Sequence, residues 1–455
     1  MLLKSRSIDA TQGPILKKII LYALPLILST LVQKLFNAVD IVVLGNMADS
    51  MAVAAVGATG SIVSLVIDTF VGLAAGTKII FARQFGAKDE ERIKRTEDTS
   101  LILGTGIGLV VAIVAMLFAR WFLVKTNCPA ECLDAAELYI IVYSVAAPAI
   151  MIYNFGSSVL MASGDTQRPL YYIIISGLVN VILNVVLCLL LEQKVVAVAV
   201  STAMSQIVSA ALVVMRLCKM DGPGKLVIRK MRFSAQALGK ILRFGLPTAL
   251  NHAIYPLANL QIQTAVNSFG VASTAGNSAG STLDGMVSAF SGPFGTTAAT
   301  FMGQNFGADR PERAHKSFFH CMWIGLLVGG VGGISFFLLA RPLLLPMILG
   351  NDLEAINYGV TRMFFVAGFY WIATMNNILS SSLNAYGYAV LTSVSSMVCI
   401  FGFRMAWMWW IYPVFKTFEC LMACFTVSWS LLFVANIVSN IVVRAIAKKK
   451  GIKQI

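Results

Sequence analysis

The chain has 455 residues, of which 58% are apolar and only 12% charged, and its net charge is +14. Soluble domains carry roughly 25% charged residues, so these charges are too few to cover a water-facing surface, and a soluble enzyme or scaffold is excluded. The basic excess collects in a few segments, which is a membrane-topology signal and not a nucleic-acid interface.

Twelve apolar stretches follow one another, near 15–44, 52–77, 99–122, 135–160, 170–191, 195–217, 238–266, 273–300, 317–340, 355–382, 388–412 and 418–443. Each has about 20 residues or more, enough for a helix across roughly 30 Å of hydrocarbon. The first lacks a small-residue cleavage site and runs into Gln33, Lys34, Asn37 and Asp40, so it is read as a permanent helix and not a signal peptide. Phe85-Gly86-Ala87 with Glu91-Arg92 lies between the second and third. Its glycine is expected to let the chain leave the helix in a left-handed conformation. The same element returns 221 residues later as Phe306-Gly307-Ala308 with Glu312-Arg313, and its glycine is given the same role. Pro25 has a counterpart in Pro247, Asn154 in Asn377, Leu160-x-Ala162-x-Gly164 in Leu383-x-Ala385-x-Gly387, and Ser205 in Ser428. The chain is a duplication. Six helices per copy is an even number, so both copies enter from the same side and the repeats are parallel. The expected fold is an all-α integral membrane protein of twelve transmembrane helices in two parallel six-helix repeats. Its N-terminal lobe spans 1–220, a polar linker 221–235 and the C-terminal lobe 236–455.

Lys and Arg gather before the first helix, in the loops holding the two repeated motifs, in the central linker and at the tail. This predicts that both termini are cytoplasmic in a multi-pass bacterial cell-membrane protein. Cys128 and Cys132 share one outer loop and are read as single thiols, and no metal-ligand cluster is present. His252, His315 and His320 are scattered and no nucleophile–base pair appears, so no enzyme is expected and no cofactor.

Charges inside hydrocarbon are rare and mark function. Lys34, Asp40, Asp68, Asp284 and Arg404 fall well inside predicted helices. Gln33, Asn37 and Asp40, at i, i+4 and i+7, share one face of the first helix. Asn180 and Asn184 share a face of the fifth helix, and Thr202 lies in the sixth. A carboxylate ringed by amide and hydroxyl oxygens holds Na⁺, or takes up a proton when burial penalises its charged form. The expected coupling site is therefore Asp40, Asn37, Asn180, Asn184 and Thr202, and Na⁺ at Asp40 is the one metal it admits. A proton is favoured over Na⁺, because Na⁺ is better served by more than one carboxylate. The expected substrate cavity comprises Gln33, Lys34, Asp68, Asn154, Tyr255, Asn259, Gln263, Asp284 and Asn377. Asp68 and Asp284 suit a lipophilic cation, and Tyr255, Phe290, Phe294 and Trp371 offer rings to stack on it. Lys34 has Asp68 as its candidate partner.

The chain resembles the multidrug and toxic compound extrusion (MATE) transporters, above all their bacterial DinF-like and MepA-like branch. The resemblance rests on Gln33-x-x-x-Asn37-x-x-Asp40 with Leu44-Gly45, and on Gly164-Asp165-Thr166-x-x-Pro169. Ser205-Gln206, Asp284 and Gly303-Gln304-Asn305-Phe306-Gly307-Ala308 complete it. It implies two six-helix lobes that rock around a central cavity, with H⁺ or Na⁺ entry driving export. It also implies a cation site at the positions of Asp40, Asn180, Asn184 and Thr202. The chain departs from some relatives at Asn184, where they carry aspartate, and at Lys34, where an uncharged residue is commoner. The expected function is an ion-coupled antiporter, a monomer in the bilayer, that exports small lipophilic molecules and binds no nucleic acid. The alternative is a flippase for lipid-linked saccharide precursors.

Overall fold

The structure is a computed structural model. It describes residues 7–47, 50–126, 128, 130–220, 222 and 224–450, without the side chains of 40–42, 44, 46–47, 50–54, 57–58, 61–62 and 450. Among the described residues every regular element is helical. The first six crossings are α1 (Ile15–Met47), α2 (Ser50–Ala87), α3 (Glu90–Lys125), α4 (Leu133–Ser144 and Ala147–Ala162), α5 (Gln167–Leu190) and α6 (Lys194–Cys218). The second six are α7 (Ala235–Asn267), α8 (Val271–Ser291 and Pro293–Gly307), α9 (Pro311–Leu349), α10 (Leu353–Phe365 and Tyr370–Tyr386), α11 (Ala389–Phe415) and α12 (Phe418–Lys450). Eight of these are singly long and apolar enough to span a bilayer, and the two halves of α4 and of α10 each do so together. The remaining two, α7 and α8, are rich in amides and hydroxyls, and they complete the twelve crossings.

Two compact units result: residues 1–9 with 28–245, and residues 10–27 with 246–455. Helices α1 and α7 thus each begin in one unit and end in the other, changing over next to Pro25 and Pro247. Segment 225–234, ahead of α7, is held by α3 in the first unit. Asp98 Oδ2 accepts from the Arg232 N–H at 3.1 Å, Thr99 Oγ1 accepts from the Ser234 N–H at 3.0 Å, and Lys94 donates to the Lys225 carbonyl at 3.1 Å. Segment 10–13, ahead of α1, is held in the second unit by the repeated motif. Arg313 donates to the carbonyls of Ala10, Gln12 and Gly13 at 2.9, 2.7 and 2.7 Å, and Arg310 donates to that of Thr11 at 2.6 Å.

The duplication extends to the packing. A Cβ on Gly104 would sit 2.7 Å from the Phe155 ring, and one on Gly108 would sit 2.4 Å from Pro148 Cα, so α3 and α4 meet backbone to backbone. In the second copy Gly325 and Gly329 of α9 receive the side chains of Ile378 and Thr374 of α10, and Gly333 meets the backbone of Ala367 at the break in α10. Lipid supplies no hydrophobic drive between helices, so such stripes of small residues let close packing hold them together. The fourth helix of each copy is also broken at matched places, with bends of 45° in α4 and 44° in α10, where the sequence suggested one unbroken stretch.

The helix ends correct one expectation. Gly86 and Gly307 remain helical, and the left-handed residues are Lys88 (φ 54°) and Asp309 (φ 58°), two positions further on. Each terminus closes with a paired reverse bond: Lys88 N–H to Phe85 O and Asp89 N–H to Gln84 O, both 3.2 Å, then Asp309 to Phe306 at 3.2 Å and Arg310 to Asn305 at 2.8 Å. The two bonds need the positive φ at the end of the helix, and the glycine lies two residues too early to supply it. Glycine does fill that position at Gly164 and Gly387, with φ of 95° and 102°. In the loop between α3 and α4 the Cys128 and Cys132 sulfurs lie 3.7 Å apart as free thiols, and burial, aided by the Cys132 thiol, pushes Cys128 up.

Candidate functional site

In the first unit, α1 is seated on α5 where Gly177 leaves room. A Cβ there would lie 1.9 Å from the Phe36 ring. This close seat opens a cavity of about 260 Å³ lined by Gln33, Asn37, Asn154, Asn180, Thr202 and Gln206, together with apolar and aromatic side chains. Five of these six polar positions were expected from the sequence, across four helices. Asn184 lies fully buried behind the wall and donates to Asn180 Oδ1 at 3.2 Å, and Asn180 in turn donates to Thr202 Oγ1 at 3.4 Å. The Thr202 hydroxyl donates to the Val198 carbonyl at 2.9 Å. Asn154 is anchored by its own helix through the Ile150 carbonyl, at 2.8 Å. Asp40 follows Asn37 by three residues in α1, and its side chain lies outside the described residues. Asp68 is half-buried on α2 and does not itself line the cavity, although its neighbours Ile67 and Val71 do. Lys34 is exposed and, among the described residues, forms no ion pair with Asp68.

The second unit holds a different polar cluster. Asp284 is 7% exposed and its Oδ2 accepts from Arg362 Nε at 2.9 Å and Nη2 at 2.8 Å. Its Oδ1 is buried and has no hydrogen-bond partner among the described residues. Arg362 also donates to Asn277 Oδ1 at 2.7 Å, and Asn277 donates to Gln263 Oε1 at 2.9 Å. Arg404, only 1% exposed, donates to Ser428 Oγ at 3.1 Å and to Asn259 Oδ1 at 2.6 Å. Both guanidiniums lie over the Phe425 ring, at 5.3 and 4.4 Å from its centroid. Asn259 and Gln263 therefore sit in front of buried cations, and Asp284 is neutralised from within the protein. Tyr255 packs on the core around Ile400, and Asn377 donates to the Gly292 carbonyl at 3.3 Å, apart from this cluster.

Arg362 and Asn277 were not singled out from the sequence, and Ser428 was noted there only as the repeat counterpart of Ser205. For Arg362 the signal was present: an arginine seven residues into an apolar stretch, which intramembrane cost alone should have flagged. Asn277 sits seven residues before Asp284 in α8, on the same helical face, and that spacing was its signal.

Chemically, the first unit offers neutral oxygens and amides around a small cavity, and the second offers buried cations behind an amide screen. Among the described residues no cluster of His, Cys, Asp and Glu is suited to a metal. A solved structure of an MOP superfamily transporter from Pyrococcus furiosus superposes with a TM-score of 0.88 at 19% identity, covering 98% of this chain and 99% of that one. This likeness shows the twelve-helix fold. The probable multidrug resistance protein YoeA of Bacillus subtilis (strain 168) is 24% identical over 389 residues, 84% of each chain. The multidrug export protein MepA of Staphylococcus aureus (strain MRSA252) is 23% identical over 261 residues, 57% of each. Residues 25–186 and 247–410 each match the MatE family, once per copy of the repeat, so the chain belongs to the family of the multidrug and toxic compound extrusion transporters.

Proposed function

We propose that this chain exports small lipophilic compounds across a bacterial cell membrane in exchange for an inward-moving ion, by alternating access and as a monomer with both termini cytoplasmic. The observation that carries the reading is the polar cavity of the first unit, which gathers Gln33, Asn37, Asn180 and Thr202 next to the α1 position of Asp40. Relatives named for multidrug resistance and multidrug export support it.

A proton is the favoured coupling ion. Asn180 Oδ1 and Thr202 Oγ1 each already accept an amide N–H, which uses one acceptor position on each oxygen. Sodium needs several oxygens converging on one point, whereas a proton needs a single carboxylate, which Asp40 supplies. The preference for cationic substrates keeps Asp68 as its basis, since Arg362 already occupies Asp284. Uptake of ethidium into proteoliposomes under an imposed ion gradient is expected, with no movement of a lipid-linked saccharide. Saccharide flipping without ethidium transport would replace this reading with the flippase.

A further inference from the structure

The second unit buries two guanidiniums and one carboxylate, and the imbalance is at Arg404. Among the described residues it has no acidic partner. A cation held only by neutral groups inside an apolar core is costly. The helix around it is also reshaped. In α11, π-helical turns at Met397–Gly402 and Trp407–Ile411 bracket the short α segment Phe403–Ala406 that carries Arg404. Such turns are rare and concentrate at functional sites, because each widens the helix and changes the direction of the residues that follow.

The hydrogen bonds leaving the two arginines all run one way. A guanidinium only donates, so any amide that faces it must present its oxygen. Arg404 therefore fixes the Asn259 amide with Oδ1 inward, at 2.6 Å. The Nδ2 group of Asn259 is left turned away, on an exposed side chain and with no partner among the described residues. From Arg362 the chain of bonds is longer: to Asn277 Oδ1 at 2.7 Å, from Asn277 to Gln263 Oε1 at 2.9 Å, and from Gln263 to Asn267 Oδ1 at 2.7 Å. The bond from Gln263 turns the Asn267 oxygen inward and leaves its N–H donors outward on an exposed side chain. Two positions on α7, about 12 Å apart along its axis, thus end in outward N–H groups, each polarised by a buried cation.

We propose that this face of α7 is a substrate-binding site for carboxylates, with Asn259 as the residue that contacts the carboxylate of a lipophilic substrate. The proposal rests on the export reading above and names a substrate class for it. A carboxylate at Asn259 accepts the amide N–H, and the charge of Arg404 stands one hydrogen bond behind it. An ammonium at the same place meets the Asn259 N–H donors with the charge of Arg404 behind them, and the charge of Asp284 is already paired with Arg362. The face selects the opposite charge from the one that Asp284 alone suggests.

The test is equilibrium binding of pyrenebutyrate and of its methyl ester to the full-length protein in detergent, read by pyrene fluorescence at neutral pH. Wild type should bind the acid about tenfold more tightly than the ester, the contribution of one charge-assisted hydrogen bond. Asn259→Asp supplies Arg404 with a carboxylate and turns the exposed donor into an acceptor, so it should remove the preference while ester affinity holds. Asn259→Leu should remove it too, without adding charge. Both substitutions are at an exposed position, and an unchanged thermal transition would confirm the fold. Equal affinity of wild type for acid and ester, or a preference that survives in Asn259→Asp, would overturn the proposal. Binding needs no ion gradient, so loss of the acid preference and failure of gradient-driven export are read in separate measurements.

Discussion

Replacing Asp40 with asparagine is expected to reduce gradient-driven export to the level of protein-free liposomes, with insertion and thermal stability unchanged. Gln33 and Asn37 of α1 line the first unit's cavity, and helical periodicity carries the same face forward to residue 40. The other polar groups there are amides and hydroxyls, none of which changes charge in the physiological range. A coupling site must differ between two ion-bound states, because a ligand shifts a conformational equilibrium only through its differential affinity for the two forms. The carboxylate is the one group of the set that can provide this with a proton. Asparagine has nearly the same shape and stays neutral, so it mimics the protonated state permanently. Export assayed in proteoliposomes under a pH gradient checks this, with passive substrate binding as a control that should survive. Undiminished export by Asp40→Asn would remove Asp40 from the mechanism.

Arg362→Met is expected to destabilise the protein by about 3–5 kcal/mol, the usual result of leaving one member of a buried ion pair alone. Asp284 Oδ2 takes two donors from Arg362, and its Oδ1 has no partner among the described residues, so the substitution strands a carboxylate in an apolar interior. Asn277 also loses the donor that orients it. The double substitution Arg362→Met with Asp284→Leu should recover most of the loss, since an apolar pair of similar volume avoids the desolvation of both charges. Thermal unfolding in detergent separates the cases. A single Arg362→Met variant as stable as wild type would show that the pair does not hold α8 to α10.

The helices themselves were legible because hydrocarbon allows little besides apolar helix, and the repeat was legible because glycines and prolines at joints cannot drift far. The fourth helix of each copy reads as one stretch by hydropathy alone, although Pro148 stands at the start of the second half of α4 and marks its break. The π turns of α11 were hidden, since Met397–Gly402 and Trp407–Ile411 carry no proline. In the first unit, amides spaced four apart on α1 and α5 announced the cavity directly. In the second, Asp284 looked like a free cavity acid because its partner, Arg362, lies 78 residues away. The direction of each amide was also illegible, as it depends on which side chain a cation faces in space.

The most direct measurement is export at one fixed pH with an imposed Na⁺ gradient, against export with a pH gradient and no Na⁺, in the same proteoliposomes. The account predicts transport in the second arm and none in the first, with Asp40→Asn silent in both. Transport driven by Na⁺ alone would contradict proton coupling and reassign the Asp40 pocket as a sodium site.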